Sequence, residues 1–156
     1  MIAIFVDGDA CPVKDEVYAV ATRYGVPVAL VANSHLYVPE GMGVEMIVVD
    51  QGPDAADDWI AERARPGDVV VTADLPLAAR CLEAGARVLG TTGRQFTDES
   101  IGGLLATREL KEHLRGAGVV TGGPPPLAAK DRSRFASKLD ELVQKSLREL
   151  PPEPSA

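Results

Sequence analysis

The sequence predicts an α/β protein, a three-layer sandwich with a mostly parallel central sheet. Short apolar runs alternate with segments of helical periodicity along the 156-residue chain, and this alternation favours a parallel sheet with right-handed crossovers. Two of the apolar runs, residues 2–6 and 69–73, are each followed directly by an aspartate. Buried parallel strands with a carboxylate at the carboxyl end give this pattern. The length fits one domain over residues 1–150, followed by a disordered tail at 151–156.

The first half of the chain supplies three predicted strands. Residues 2–6 form the first strand. A helix is predicted at 12–24, and Pro12 suits its first turn because an N–H at that position would have no partner within the helix. The strands at 27–32 and 44–49 are apolar runs of strand length. The loop between them ends with a Gly-Met-Gly turn.

The middle of the chain continues the alternation. A helix at 54–64 precedes the strand at 69–73, and a helix at 75–84 precedes the strand at 86–89, with glycines supplying the stops. Residues 90–94 read Gly-Thr-Thr-Gly-Arg and are predicted as a loop.

The last third contains two further helices. One is capped by Thr97, with acids in its first turn, and an apolar stripe is expected to extend toward Leu114. Residues 116–129 are rich in Gly and Pro and are interpreted as a linker. The final helix, 130–149, carries apolar residues at helical spacing.

Charge and composition exclude several classes of protein. No apolar run approaches the roughly 20 residues of a membrane-spanning helix, and the chain opens directly into a strand without the features of a signal peptide. Two cysteines give neither a disulfide framework nor a zinc motif, so a cytoplasmic location with reduced thiols is expected. The net charge of −7 disfavours a protein that coats nucleic acid, although the segment 108–149 is locally basic.

Acidic residues follow the predicted strands and point to a metal site. If the first strand lies beside strand 69–73, Asp7 and Asp74 meet at the edge of the sheet where ligands bind, and helix 54–64 begins at the same edge. An all-carboxylate set without His or Cys suits Mg²⁺ or Mn²⁺. Asp7 and Asp74 are the predicted catalytic residues. The predicted metal ligands are Asp7, Asp9, Asp54, Asp57, Asp58 and Asp74.

Each acid also has a plain structural interpretation. Asp7 can be a turn residue that accepts backbone N–H bonds, Asp74 can be a helix N-cap, and the acids at 54–58 can serve the helix dipole. Asp54 and Asp58 share a helix face at i and i+4, where like charges repel. For Asp54 and Asp58, helix capping and metal binding are equally compatible with the sequence. Asp57 is a weaker candidate for a metal ligand than either of them. Gly8, between the first two aspartates, is interpreted as allowing unusual backbone angles.

Five polar residues are candidates for substrate contact. They would line the acidic edge or supply phosphate contacts, and they are Asn33, Ser34, Arg94, Arg132 and Arg134. The basic run from 130 to 134 is most often a solvated helix start, and its functional interpretation is contact with a phosphate backbone.

Several segments together resemble the YaiI/YqxD family of small bacterial proteins of uncharacterised function. The resemblance covers residues 2 to about 143. It rests on Phe-Val-Asp-Gly-Asp-Ala-Cys-Pro (5–12), Val-Ala-Asn-Ser (31–34), Asp-Ala-Ala-Asp-Asp-Trp-Ile (54–60), Thr-Ala-Asp-Leu-Pro-Leu-Ala (72–78), Gly-Gly-Pro-Pro-Pro (122–126) and Lys-Asp-Arg-Ser-Arg-Phe (130–135). It implies a PIN-like fold, the fold of many metal-dependent ribonucleases. By that resemblance Asp7, Asp54, Asp58 and Asp74 would hold or support metal, with Asp9 and Asp57 nearby.

Three functions are compatible with these patterns. The first is a metal-dependent phosphodiesterase acting on RNA. The second is a phosphatase of the haloacid-dehalogenase type, with Asp7 as nucleophile, Asp9 as acid–base and Thr72 as the second motif of that family. That family has its further acidic pair late in the chain, whereas here the acids at 54–58 precede Thr72. The third is a non-catalytic PIN-like binding module, since a fold does not dictate an activity.

Overall fold

A six-stranded sheet forms the centre of the molecule in the computed structural model, which describes residues 2–50, 52, 54–102 and 128–149. Its strands are β1 (Ile4–Asp7), β2 (Val28–Ala32), β3 (Val44–Val48), β4 (Val69–Val71), β5 (Arg87–Leu89) and β6 (Gln95–Phe96). The spatial order is β3-β2-β1-β4-β5-β6. The first five strands are parallel and β6 is antiparallel to β5. The predicted α/β class with a mostly parallel sheet is confirmed.

Helices cover both faces of this sheet. They are α1 (Lys14–Tyr24), α2 (Ala55–Arg63), α3 (Leu75–Glu83), α4 (described from 98 to 102) and α5 (Ala129–Glu149). Buried residues of α1 and α5 form one apolar core with one face of the sheet, whereas α2, α3 and α4 contribute to a second core on the other face. The three-layer sandwich is therefore confirmed. No helix in the described ranges has an apolar stretch long enough to cross a bilayer.

The position of β1 determines where a site forms. β1 is central and pairs with β2 on one side and β4 on the other, as predicted. The chain leaves β1 toward β2 and later reaches β4 on the opposite side, so the strand order reverses between β1 and β4. In open α/β sheets the crevice beyond the carboxyl ends at such a point is the usual binding site.

The turn after β1 depends on Gly8 in a way that the sequence interpretation did not predict. Gly8 is not among the glycines with positive φ, so the expected unusual backbone angles are not its role. A Cβ at this position would lie 2.8 Å from Leu30 Cδ1 and 3.0 Å from the Val31 carbonyl oxygen. Glycine is required because the short 3-10 turn at 8–10 lies directly against β2.

Strand β6 is the one strand of the described chain that the sequence interpretation did not predict. Residues 90–94 form the predicted loop, but its end is a hairpin closed by a bond from the Gly90 N–H to the Arg94 carbonyl oxygen, 2.8 Å. A strand of two residues is too short to show the alternation of apolar and polar residues that predicts a strand. Thr97 caps α4 as predicted, since its Oγ1 accepts a bond from the Ser100 N–H. The further apolar stripe of that helix, the linker at 116–127 and the tail lie outside the described residues.

Helix α5 runs alongside α1 and begins at the carboxyl edge of the sheet. Near its start, Arg132 donates to the Pro12 carbonyl oxygen at 2.7 Å. Near its end, Ser146 accepts a bond from Arg87 at the start of β5. Because Phe135 and Leu139 bury the intervening face, the basic first turns of α5 are held next to the acidic edge.

Candidate active site

Thr72 connects the ends of the two central strands. Its hydroxyl donates to Asp7 Oδ2 at 3.0 Å and accepts from the Asp74 N–H at 3.0 Å. The Thr72 side chain is buried and its two partners are half-buried, so both bonds are partly shielded from water. One hydroxyl thus fixes both predicted catalytic aspartates, although the sequence interpretation considered Thr72 only as a phosphatase motif. A polar residue directly after a run of three valines is the signal that identifies it.

Asp74 serves as the N-cap of α3. Its Oδ1 accepts a bond from the Leu77 N–H at 2.9 Å, as the plain structural interpretation predicted. The carboxylate is half-buried beside the end of β4. A cap that uses one oxygen leaves the other able to face the crevice, so capping and ligand binding are compatible.

Asp57 is the acid of α2 that shares an electrostatic environment with Asp7 and Asp74. Burial raises the pKa of Asp57 to about 6, and the carboxylates of Asp74, Asp7 and Asp54 add to the rise, whereas Arg80 opposes it. The pKa of Asp7 is also raised, first by burial and further by Asp74 and Asp9, against the lowering effect of the bond from Thr72. Three half-buried carboxylates therefore repel each other at the crevice between β1 and β4.

The other two acids of this segment point elsewhere. Asp58 is exposed and pairs with Arg80 at 2.7 Å. Asp54 is exposed and lies at the N-cap position of α2, yet its side chain makes no capping bond. Of the two interpretations left open for Asp54, side-chain capping is thus not the one that the structure shows. Asp57 lies three residues before the buried Ile60, and this spacing turns Asp57 rather than Asp58 toward the sheet.

Asp9 and Asn33 connect the neighbouring strand ends. Both carboxylate oxygens of Asp9 accept from the Asn33 N–H, at 3.0 and 3.2 Å. The Asn33 side-chain amide donates to the Asp50 carbonyl oxygen at 3.0 Å. Ser34 follows and is exposed. Asn33 and Ser34 thus lie at the predicted edge, where Asn33 joins the segments that follow β1, β2 and β3.

Two of the three predicted arginines face solvent near the turn between β5 and β6. Arg94 is exposed in this turn, and a Cβ at Gly93 would lie 3.0 Å from Arg134 Cγ. The side chain of Arg134 is 63% exposed, with Asp131 3.9 Å away. Arg132 differs, because its guanidinium binds the Pro12 carbonyl oxygen and lies 3.5 Å from Glu16. Arg94 and Arg134 are therefore available to a ligand, whereas Arg132 joins α5 to α1.

The acidic set has the chemistry of a hard-cation site in an open arrangement. Every candidate donor is a carboxylate oxygen, the ligand type that Mg²⁺ and Mn²⁺ prefer. Within the described part of the chain, no three His, Cys, Asp or Glu side chains approach closely enough to form a metal-binding group as they stand. Burial is the main cause of the raised pKa values of Asp7 and Asp57, and repulsion by neighbouring carboxylates adds to it; a bound cation would offset both effects. The donor set thus fits such an ion if these side chains turn toward one another.

Comparisons with known proteins point to one family. The model of the uncharacterised YaiI/YqxD family matches residues 5–145. A UPF0178 protein of Caulobacter sp. (strain K31) is 56% identical over 148 residues, which cover 95% of this chain and 98% of that protein. A UPF0178 protein of Bradyrhizobium diazoefficiens is 57% identical over 142 residues, covering 91% of this chain and 85% of that protein. A UPF0178 protein of Paramagnetospirillum magneticum is 54% identical over 151 residues, covering 97% of this chain and 100% of that protein. No solved structure matches the chain.

Proposed function

We propose that this chain, which belongs to the YaiI/YqxD family of uncharacterised bacterial proteins, is a metal-dependent phosphodiesterase that cleaves RNA. The family resemblance predicted from the sequence is confirmed. The observation that carries the proposal is that three half-buried carboxylates, Asp7, Asp57 and Asp74, lie around the crevice between β1 and β4, where burial and the charge of Asp74 raise the pKa of both Asp7 and Asp57.

The electrostatics of this crevice favour a divalent cation. Half-buried carboxylates that repel one another are costly unless a positive charge accompanies them. Among the described residues, Asp57 makes no side-chain hydrogen bond, and Arg80, whose positive charge lowers the pKa of Asp57, is paired with Asp58. Asp7, Asp57 and Asp74 would hold Mg²⁺ or Mn²⁺, with Asp9 and Asp54 beside them. Such an ion, when bound, activates a water molecule and stabilises the charge on the leaving oxygen.

The protein's own residues prepare the site in two ways. Thr72 fixes the orientation of Asp7 through a buried hydrogen bond, so this carboxylate loses little freedom when it binds. The bond from the Asn33 N–H holds Asp9 at the rim. Positioning of this kind is how proteins convert a cluster of carboxylates into a site of defined geometry.

The exposed arginines provide positive charge near the acidic site that can bind the substrate. Arg94 and Arg134 lie at the same edge of the sheet as the acids. Guanidinium groups bind phosphate oxygens with paired hydrogen bonds. We assign them to phosphates of the RNA backbone that flank the scissile bond, while the remainder of the negatively charged surface disfavours indiscriminate binding.

Cleavage of a labelled single-stranded RNA tests this function. The purified protein is incubated with Mn²⁺ or with EDTA, alongside Asp7→Asn and the control Asp98→Asn. Asp98 is exposed in the first turn of α4, and it follows the antiparallel β6, so it lies at the opposite edge of the sheet. The asparagine at position 7 can still accept the Thr72 bond, so the fold is preserved. We expect Mn²⁺-dependent cleavage by the wild type and by Asp98→Asn, and none by Asp7→Asn.

Two outcomes would replace the nuclease with another function. Cleavage by Asp7→Asn at the wild-type rate would contradict the role of Asp7. A phosphate attached covalently to Asp7 would indicate the phosphatase alternative, in which the Asp7 carboxylate attacks phosphorus and the alcohol leaves with a proton. RNA binding without cleavage would favour the non-catalytic binding module.

A further inference from the structure

A cavity of about 340 Å³ lies between the first half of α1 and the loop that follows β2. Its lining includes two tyrosines, Tyr18 on the helix and Tyr37 on the loop, with Met42 adding apolar surface. Tyr37 is 85% exposed, an unusual position for a large aromatic side chain that serves no core. The volume is near the lower end of the roughly 300–1,000 Å³ found for ligand pockets.

The composition of this pocket favours an uncharged planar ligand. Lys14 and Asp15 both line it, and their charges offset each other. Lys14 is already held by a 2.7 Å bond to the Cys11 carbonyl oxygen. A phosphate would find little net attraction here, whereas a flat ring would find an aromatic face on Tyr37.

Tyr18 gives a second, independent indication of a ligand. Tyr18 is buried, with only 6% of the residue exposed. Its hydroxyl has no hydrogen-bond partner among the described residues. A buried polar group of this kind is costly to leave unpaired. If the Tyr18 side chain turned toward the pocket, the polar edge of a bound ring would supply the missing bond.

The pocket and the acidic site are linked by a short stretch of chain. Asn33, which binds Asp9 at the rim of that site, is four residues before Tyr37. Four residues of extended chain span at most about 14 Å. A strand whose backbone crosses the acidic crevice can therefore place a neighbouring base at Tyr37.

We propose that Tyr37 and Tyr18 form a binding site for one base of single-stranded RNA, stacked on Tyr37, beside the cleavage site. The proposal rests on the proposed function, because it assigns the pocket to the same substrate. Stacking of bases on aromatic side chains is a general means of holding single strands without reading their sequence.

Binding of fluorescently labelled RNA to the Asp7→Asn protein tests the proposal without any need for catalysis. Tyr37→Leu removes the aromatic face, and Tyr37→Phe retains it; the exposure of this side chain makes either change harmless to folding. We expect Tyr37→Leu to weaken binding by roughly 5- to 150-fold, the effect of losing one base–aromatic stack, and Tyr37→Phe to bind like the parent. Ala19→Leu, which fills the same pocket from α1, should also weaken binding.

An abasic RNA of the same length provides the discriminating control. It should bind the parent protein as weakly as normal RNA binds Tyr37→Leu. Equal affinities for Tyr37→Leu and Tyr37→Phe, or an abasic RNA that binds as tightly as normal RNA, would overturn the base site. So would a failure of the parent protein to bind RNA at all. Cleavage that persists undiminished in Tyr37→Leu with unchanged KM would overturn the base site and leave the nuclease function standing, so the two proposals fail separately.

Discussion

Replacing Asp57 by asparagine should stabilise the metal-free protein at neutral and alkaline pH. The pKa of Asp57 is raised from 3.8 to about 6, chiefly by burial and by the carboxylates of Asp74 and Asp7. A carboxyl whose pKa is higher in the folded than in the unfolded state destabilises the fold once it is ionised. Asparagine keeps the shape of the side chain and removes the charge.

The expected magnitude follows from the size of this shift. About two pKa units at about 1.4 kcal/mol each give about 3 kcal/mol as an upper limit. Asp57 is only half-buried, and solvent screening reduces the value to about 1–2 kcal/mol. The charge also gains up to about 1 kcal/mol from the helix dipole in the first turn of α2, which asparagine gives up. The net stabilisation is therefore about 1 kcal/mol, or roughly 2–4 °C in Tm for a chain of this size.

The pH dependence gives the prediction its specific signature. Below about pH 4 Asp57 is protonated in both states, so the variant should have no advantage there. The advantage should grow as the pH rises from about 4 to 6 and remain constant above that range. Thermal and urea melts in EDTA at intervals from pH 4 to 8 measure it, with Asp98→Asn as the control. A variant that is less stable than the wild type at pH 8, or an advantage that does not change with pH, would refute the reasoning.

Three further predictions concern the elements that build the site. Thr72→Val should lower the free energy of unfolding by about 1–3 kcal/mol, because the half-buried Asp7 carboxylate and the Asp74 N–H lose their shared partner, and Thr72→Ser should restore most of it in urea melts. Gly8→Ala should cost roughly 1–3 kcal/mol through overpacking against β2, whereas Gly102→Ala, where a Cβ would meet nothing within 4 Å, should not destabilise; equal effects would contradict the close approach. Arg134→Ala should leave Tm unchanged and reduce the salt dependence of RNA binding by about one phosphate contact. Arg132→Ala should instead lower Tm, because it removes the contact between α5 and α1. The reverse pattern would show that Arg132 binds the phosphate and Arg134 stabilises the fold.

The fold and the centre of the acidic site follow from patterns that the sequence displays directly. Apolar runs that end at Asp7 and just before Asp74 predict two parallel strands with carboxylates at one edge, and the structure has these strands as neighbours. The connection of the two acids through Thr72 is a tertiary contact. It becomes visible only when β1 and β4 are paired in register.

The sequence alone predicted less well which polar side chains of a helix face the site, because this depends on how the helix is rotated about its axis. Asp57 rather than Asp58 faces the sheet, because Ile60 of α2 is buried and Asp57, three residues earlier, lies on the same face of the helix. The same logic separates the arginines of α5: Arg132 precedes the buried Phe135 by three residues and meets α1, whereas Arg134 projects outward. The strand β6 gives no periodic signal, because two residues complete no alternation.

The most direct test of the central claim is a thermal melt in millimolar Mn²⁺ on the wild type, Asp7→Asn and Asp98→Asn. A cation that binds only the folded protein stabilises it by about 2.7 kcal/mol at 100 times its Kd, which corresponds to roughly 5–11 °C in Tm. The account predicts this rise for the wild type and Asp98→Asn and its loss in Asp7→Asn. No rise in the wild type, or an equal rise in Asp7→Asn, would contradict a metal site at the carboxyl ends of β1 and β4.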